Sequence, residues 1–104
     1  MTVQPIITQN LSGIALILKR HQVKRAFAFG SVCTDHFSPE SDVDLLISFK
    51  DGLDPVTYAD NYFAIAEAME TLLQRPVDLV TEASVQNPYF IKVMNKTKTP
   101  IYEG

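Results

Sequence analysis

The chain has 104 residues, 46% of them hydrophobic and 20% charged, which is the composition of a soluble globular protein with one core spanning residues 1–104. The formal net charge of −3 argues against a broad nucleic-acid-binding surface. One cysteine and two histidines exclude an internal disulfide and a thiolate or multi-histidine zinc site, and the longest apolar run, residues 14–18, is too short to cross a membrane. We therefore expect a cytoplasmic single-domain protein without membrane contact.

The first third of the chain predicts a helix, a strand and a short turn. Apolar residues at i, i+3, i+4 and i+7 over residues 9–20 are typical of an amphipathic helix. Residues 23–29 form a short run that ends at Gly30, which indicates a buried strand. Ser31 can then cap a helical turn over residues 32–34.

The rest of the chain predicts two strands and two helices. Asp54 and Asn87 each precede a proline, the pattern of an N-cap with proline at the first helical position. The predicted elements are, in order, a strand at 42–49, a helix from Pro55 to Arg75, a strand at 77–80, a helix at 88–94 and an extended tail at 100–102.

The predicted element order is α-β-α-β-α-β-α. Alternating helices and strands favour a layered α/β or α+β domain with amphipathic helices against the sheet. About a dozen residues join the first two strands, so that connection can be either a crossover or a wide return.

Three aspartates stand in strand segments, although aspartate is a poor strand former. Asp42 and Asp44 are two residues apart and project to the same side, and Asp78 on a neighbouring strand can lie beside them. At about 4 Å and an effective dielectric near 20, each carboxylate pair repels by roughly 4 kcal/mol, which a hard divalent cation would reverse. Oxygen ligands favour magnesium or manganese. The alternative is a solvated acidic loop.

Gly30 and Ser31 form the second half of the pattern. A glycine at a strand end lets the backbone approach a ligand closely, and amides entering a helical turn can donate hydrogen bonds to phosphate. A tight strand-to-helix turn without a ligand is the alternative. The spacing of Gly-Ser ten residues before Asp-x-Asp favours the phosphate site.

Gly30-Ser31, followed after ten residues by Asp42-Val43-Asp44 and later by Asp78, resembles the nucleotidyltransferase superfamily typified by DNA polymerase β. The resemblance covers nearly the whole chain and looks most like minimal nucleotidyltransferase (MNT) domains, which occur as antitoxins beside HEPN-domain ribonuclease toxins. It implies a nucleotidyltransferase fold, with a mixed three-stranded sheet flanked by helices. It also implies two magnesium ions, with manganese possible, and transfer of AMP from a nucleoside triphosphate, ATP, to a tyrosine hydroxyl of the toxin.

Carried onto this sequence, the resemblance makes Asp42 and Asp44 the ligands of both metals. Asp78 would complete the metal site on the acceptor side and receive the acceptor proton, and Gly30 and Ser31 would hold the triphosphate. Thr34 stands where many MNT domains have an arginine. The alternative function is therefore a catalytically weakened nucleotide-binding module that neutralises its partner by direct contact. A third alternative is an acidic structural domain without a ligand.

Overall fold

The computed structural model describes residues 3–104. Within that part, no helix has both the length and the apolar character needed to span a membrane. The elements are α1 (Pro5–Thr8), α2 (Leu11–Arg20), β1 (Val23–Phe29), a 3₁₀ turn (Gly30–Cys33), β2 (Val43–Phe49), α3 (Pro55–Leu73), β3 (Val77–Thr81), a second 3₁₀ turn (Glu82–Ser84), α4 (Pro88–Asn95) and β4 (Thr99–Glu103).

The strands form one mixed sheet in the order β3-β2-β1-β4. β1 runs antiparallel to both β2 and β4, whereas β2 and β3 are parallel and are joined by the crossover helix α3. The connection between β1 and β2, which the sequence left open, is therefore a wide return rather than a crossover. This arrangement brings the end of β1 and the beginnings of β2 and β3 to the same end of the sheet, where the strands begin or finish.

The predicted mixed α/β fold is confirmed, but the predicted number of three strands is wrong. The tail at residues 100–102 is part of a fourth strand, β4, in which Thr99 pairs with Ala28 and Tyr102 pairs with Ala26. Pro100 cannot donate a backbone hydrogen bond to a ladder, so it would be unfavourable in a central strand. It is tolerated here because β4 lies at the edge of the sheet, where one side of the strand has no neighbouring strand.

Two polar caps set the beginnings of α3 and α4 as predicted. Asp54 accepts hydrogen bonds from the backbone N–H of Thr57 at 3.2 Å and from its hydroxyl at 2.6 Å. Asn87 accepts from the N–H groups of Tyr89 and Phe90 at 2.9 and 3.4 Å. Each cap satisfies backbone donors that the first helical turn leaves without a partner.

The sheet has one fully covered face and one partly covered face. Helices α2 and α3 cover the first, where the main core includes Ile14, Leu18, Val43, Leu45, Ile47, Ile65 and Met69. On the other face, which we call the site face, α4 packs Met94 against Phe29 and Leu46. Alternate residues of a strand point to opposite faces, so the residues flanking Leu45 point to the site face.

Candidate active site

The three aspartates lie on the site face of the sheet. Asp44 and Asp78 are Cα partners on the parallel strands β2 and β3. Each precedes by two residues a member of the site-face apolar cluster, Leu46 and Val80 respectively. Asp42 lies two residues before Asp44, and the alternation of β2 extended by one residue places it on the same face. The backbone therefore brings all three predicted carboxylates to the site face, at the end of the sheet where β2 and β3 begin.

The electrostatics of Asp44 show that the three carboxylates interact. Asp44 is half-buried, whereas Asp42 and Asp78 are exposed. Burial raises the pKa of Asp44 to about 6, and the negative charges of Asp78 and Asp42 add to this increase. Both effects disfavour the ionised carboxylate, so a positive charge at this place would be strongly favoured.

A magnesium or manganese ion fits the donor chemistry of this site but needs side-chain movement. Among residues 3–104, no three acidic, histidine or cysteine side chains are already placed to share one ion. The backbone register nevertheless sets Asp44 beside Asp78, and the two partners of Asp44 are exposed and free to change rotamer.

Gly30 lies directly against Asp44. We call Asp42, Asp44 and Asp78 together the acidic group. Gly30 has a φ of +76°, and a Cβ at this position would clash with the carboxylate of Asp44. Only glycine meets both conditions, because it has no side chain and adopts positive φ without strain. The Gly-Ser step and the Asp-x-Asp step, separated by ten residues in the sequence, are therefore in contact.

The 3₁₀ turn after Gly30 is closed by Thr34. Its hydroxyl donates to the carbonyl of Ser31 at 2.9 Å and accepts from the N–H of His36 at 3.1 Å. Its backbone N–H also donates to the Ser31 carbonyl, at 3.0 Å. Thr34 thus shapes the loop that carries Ser31, and the hydrogen of its hydroxyl is already used within that loop.

One residue of the site was not found from the sequence. Thr97, just after α4, accepts the backbone hydrogen bond of Gly30 through Oγ1 at 2.8 Å. Its local sequence, Lys-Thr-Lys-Thr, carries no signal of this role, because the contact joins residues far apart in the chain. Thr97 holds the glycine that faces Asp44.

We expect Thr97→Val to destabilise the protein by about 1 kcal/mol, because the Gly30 N–H would lose its acceptor while the shape of the side chain is kept. Thr97→Ser keeps the hydroxyl and should lose much less. Urea unfolding of both variants measures the difference. A loss in Thr97→Ser without one in Thr97→Val would show that the methyl group of Thr97, and not the hydrogen bond, is what matters.

Comparison with known proteins shows a consistent set of relatives. Residues 11–99 match the family described as "Nucleotidyltransferase domain", a range that includes all the predicted site residues. A protein of Methanocaldococcus jannaschii named "Putative protein adenylyltransferase" is 33% identical over 92 residues, which cover 81% of this chain and 90% of the relative.

Two solved structures share the fold. One, described as a "putative minimal nucleotidyltransferase", is 26% identical with a TM-score of 0.71, and the match covers 96% of both chains. The other comes from a complex of a tri-AMPylated Shewanella oneidensis HEPN toxin with an MNT antitoxin. It is 18% identical with a TM-score of 0.65, and the match covers 93% of this chain and 72% of the other.

Proposed function

This chain belongs to the nucleotidyltransferase domain family, as a domain of the minimal type, and we propose that it transfers AMP from ATP to a hydroxyl group of a partner protein. The observation that carries the proposal is the contact between the Gly-Ser motif and the Asp-x-Asp motif. The half-buried carboxylate of Asp44 faces the backbone of Gly30 and is flanked by two further carboxylates. A triphosphate and divalent cations are the ligands that together satisfy such a site.

In this proposal the aspartates bind Mg²⁺, with Mn²⁺ as the alternative ion. Asp42 and Asp44 would hold two ions and Asp78 would complete the site on the acceptor side. The bound ions supply charge neutralisation at the α-phosphate and the departing pyrophosphate. The donor set supports this assignment, since it consists of carboxylate oxygens and hard cations prefer oxygen.

The side chains and backbone of the chain position the reaction. Gly30 and Ser31 would receive the triphosphate, because glycine leaves the backbone open to close approach. The acceptor oxygen forms a bond to the α-phosphorus as the bond from that phosphorus to the bridging oxygen breaks, and pyrophosphate leaves. The carboxylate of Asp78 takes the proton of the hydroxyl. Catalysis consists of positioning and electrostatic stabilisation, with no covalent enzyme intermediate.

The proposed partner is a HEPN-domain toxin, and the proposed acceptor is one of its tyrosines. The support is the structural similarity to the Shewanella oneidensis complex, in which a HEPN toxin carries AMP and is bound to an MNT antitoxin. The relatedness to a protein named as an adenylyltransferase supports AMP as the transferred group.

The experiment is a transfer assay with a HEPN-domain protein as the acceptor. ATP labelled at the α-phosphate, with Mg²⁺, should label the HEPN protein, whereas ATP labelled at the γ-phosphate should not. EDTA should abolish the labelling, and replacing the modified tyrosine by phenylalanine should remove it. A HEPN protein that stays unlabelled while the intact chain neutralises its activity would contradict the transferase proposal.

One observation favours a second function. The Thr34 hydroxyl is used to close the turn that carries Ser31, and the resemblance to MNT domains implies an arginine where Thr34 stands. A site with less positive charge for the triphosphate suits a module that binds nucleotide weakly and neutralises its partner by contact. Neutralisation without labelling, unaffected by Asp44→Asn, is the result this second function predicts.

A further inference from the structure

A shallow cavity lies on the site face of the sheet, and its lining includes Val80, two residues after Asp78 on β3. Its volume is about 380 Å³. It is lined by Val80, Ser84, Val85, Gln86, Asn87 and Phe90. We call it the α4 cavity, because Asn87 caps α4 and Phe90 lies in its first turn. This volume falls in the range of small-molecule sites, about 300–1,000 Å³.

The α4 cavity adjoins the acidic group through two of its walls. The Phe90 ring stands edge-on to Phe29, with ring centroids 6.1 Å apart and an interplanar angle of 86°. Phe29 is the strand partner of Asp44. The other wall, Val80, follows Asp78 by two residues on β3, and both side chains point to the site face.

Helix α4 continues the same wall toward Gly30. Phe90 and Val93 are three residues apart and lie along one side of α4, and Thr97 follows in the turn just after the helix. Thr97 accepts the hydrogen bond from Gly30. Phe90 is 39% exposed and Val93 45% exposed, so this side of α4 presents an open apolar surface beside a strongly polar site.

A larger cavity of about 450 Å³ on the other flank of α4 is less suited to a ligand of the acidic group. Ile91 and Asn95 line it, and its charged side chains include Arg25 and Glu82, which form an ion pair at 2.9 Å. These charges neutralise each other. Leu46, two residues after Asp44 on β2, lines this larger cavity, so both cavities lie near Asp44. The α4 cavity differs because none of its lining side chains is charged, which suits an uncharged aromatic ligand.

We propose that the α4 cavity binds the heteroaromatic base of the nucleoside triphosphate, with the base stacked on Phe90. This inference rests on the proposed function, because it assumes that the triphosphate lies at Gly30 and Ser31. An aromatic ring and two valines offer the apolar surface that a base needs. Stacking on an aromatic side chain suits any base, since every base has a π face.

The rim of the α4 cavity can also read the polar edge of the base. The Asn87 carboxamide oxygen is used by the helix cap, so its NH₂ group remains as a donor. The Ser84 hydroxyl donates to the Thr81 carbonyl at 2.9 Å and can still accept. Gln86 is exposed and offers both a donor and an acceptor.

The test compares the binding of ATP with that of inorganic triphosphate, both with Mg²⁺. Phe90→Ala should weaken ATP binding about tenfold, in the range of base–aromatic stacking, and leave triphosphate binding unchanged. Phe63→Ala is the matched control, because Phe63 is 68% exposed on α3, which packs on the other face. It should change neither affinity. Phe90→Leu, which keeps apolar volume, should also weaken ATP binding and serves if the alanine variant unfolds.

Three results would overturn the base pocket. If Phe90→Ala weakens ATP and triphosphate equally, Phe90 acts through Phe29 on the acidic group. If Phe90→Ala leaves ATP affinity unchanged but slows transfer to the HEPN protein, the cavity binds the acceptor protein. If the wild-type chain binds neither ATP nor triphosphate, the proposed function itself fails, and the base pocket fails with it.

Discussion

Replacing Asp44 by asparagine should abolish AMP transfer and, in the absence of metal, stabilise the protein. Transfer should fall about a thousandfold or more, because an amide cannot supply the negative charge that divalent cations and the reacting phosphates require. Stability should rise because burial and two neighbouring carboxylates disfavour the ionised form of Asp44. The rise of its pKa from an ordinary 3.8 to about 6 corresponds to about 3 kcal/mol at neutral pH, which solvent screening of this half-exposed carboxylate reduces to roughly 2 kcal/mol.

The raised pKa of Asp44 also determines how the free energy of unfolding changes with pH. Because the pKa of Asp44 is raised on folding, the protonated carboxyl costs nothing at low pH, and stability is lost as pH rises from about 4 through about 6. Urea unfolding in EDTA across pH 4 to 8 should show wild type and Asp44→Asn diverging over this window and parallel above it. The asparagine variant should be the more stable of the two at neutral pH.

Asp51→Asn is the matched control. Asp51 is exposed in the turn after β2, at the opposite end of that strand from Asp44. Its removal changes the net charge equally and should change neither transfer nor the pH profile of unfolding. If Asp44→Asn instead unfolds the protein, the aspartate is structural and the site assignment is wrong.

Local features of the sequence predicted local structure well. Asp54 and Asn87 each cap a helix as predicted, because a capping side chain bonds to backbone only two or three residues away. The period of two also placed the aspartates on one face, since alternation is a property of the strand itself. The positions of their carboxylate oxygens were not predictable, because rotamers of exposed side chains respond to charge and bound ions.

Features that depend on distant parts of the chain were missed or left open. The tail at residues 100–102 was predicted as extended but not as a strand, because only its pairing with β1, far away in the sequence, makes it part of the sheet. The antiparallel pairing of β1 with β2 was left open, since a connection of a dozen residues permits either a crossover or a wide return. Thr97 was missed because only the folded chain brings it to Gly30. Long-range contacts decided each of these cases.

Gly30→Ala should lower both stability and activity. Gly52→Ala separates the effect of backbone strain from the effect of a clash with Asp44. Both glycines have positive φ, +76° and +87°, so either alanine variant should lose about 1–2 kcal/mol through backbone strain. A Cβ on Gly52 meets nothing within 4 Å, whereas one on Gly30 clashes with the Asp44 carboxylate. Only Gly30→Ala should therefore displace that carboxylate and lower transfer, by about a hundredfold for a shift near 1 Å.

A double-mutant cycle isolates the clash from the strain. If the added methyl group acts by pushing on the Asp44 carboxylate, Gly30→Ala should cost less stability in an Asp44→Ala background, close to the cost of Gly52→Ala. Urea unfolding of the four proteins gives the coupling free energy. A cost unchanged by the Asp44→Ala substitution would mean that Gly30 is required only for its backbone conformation. The close approach of glycine and carboxylate, on which the proposed site depends, would then have no energetic consequence.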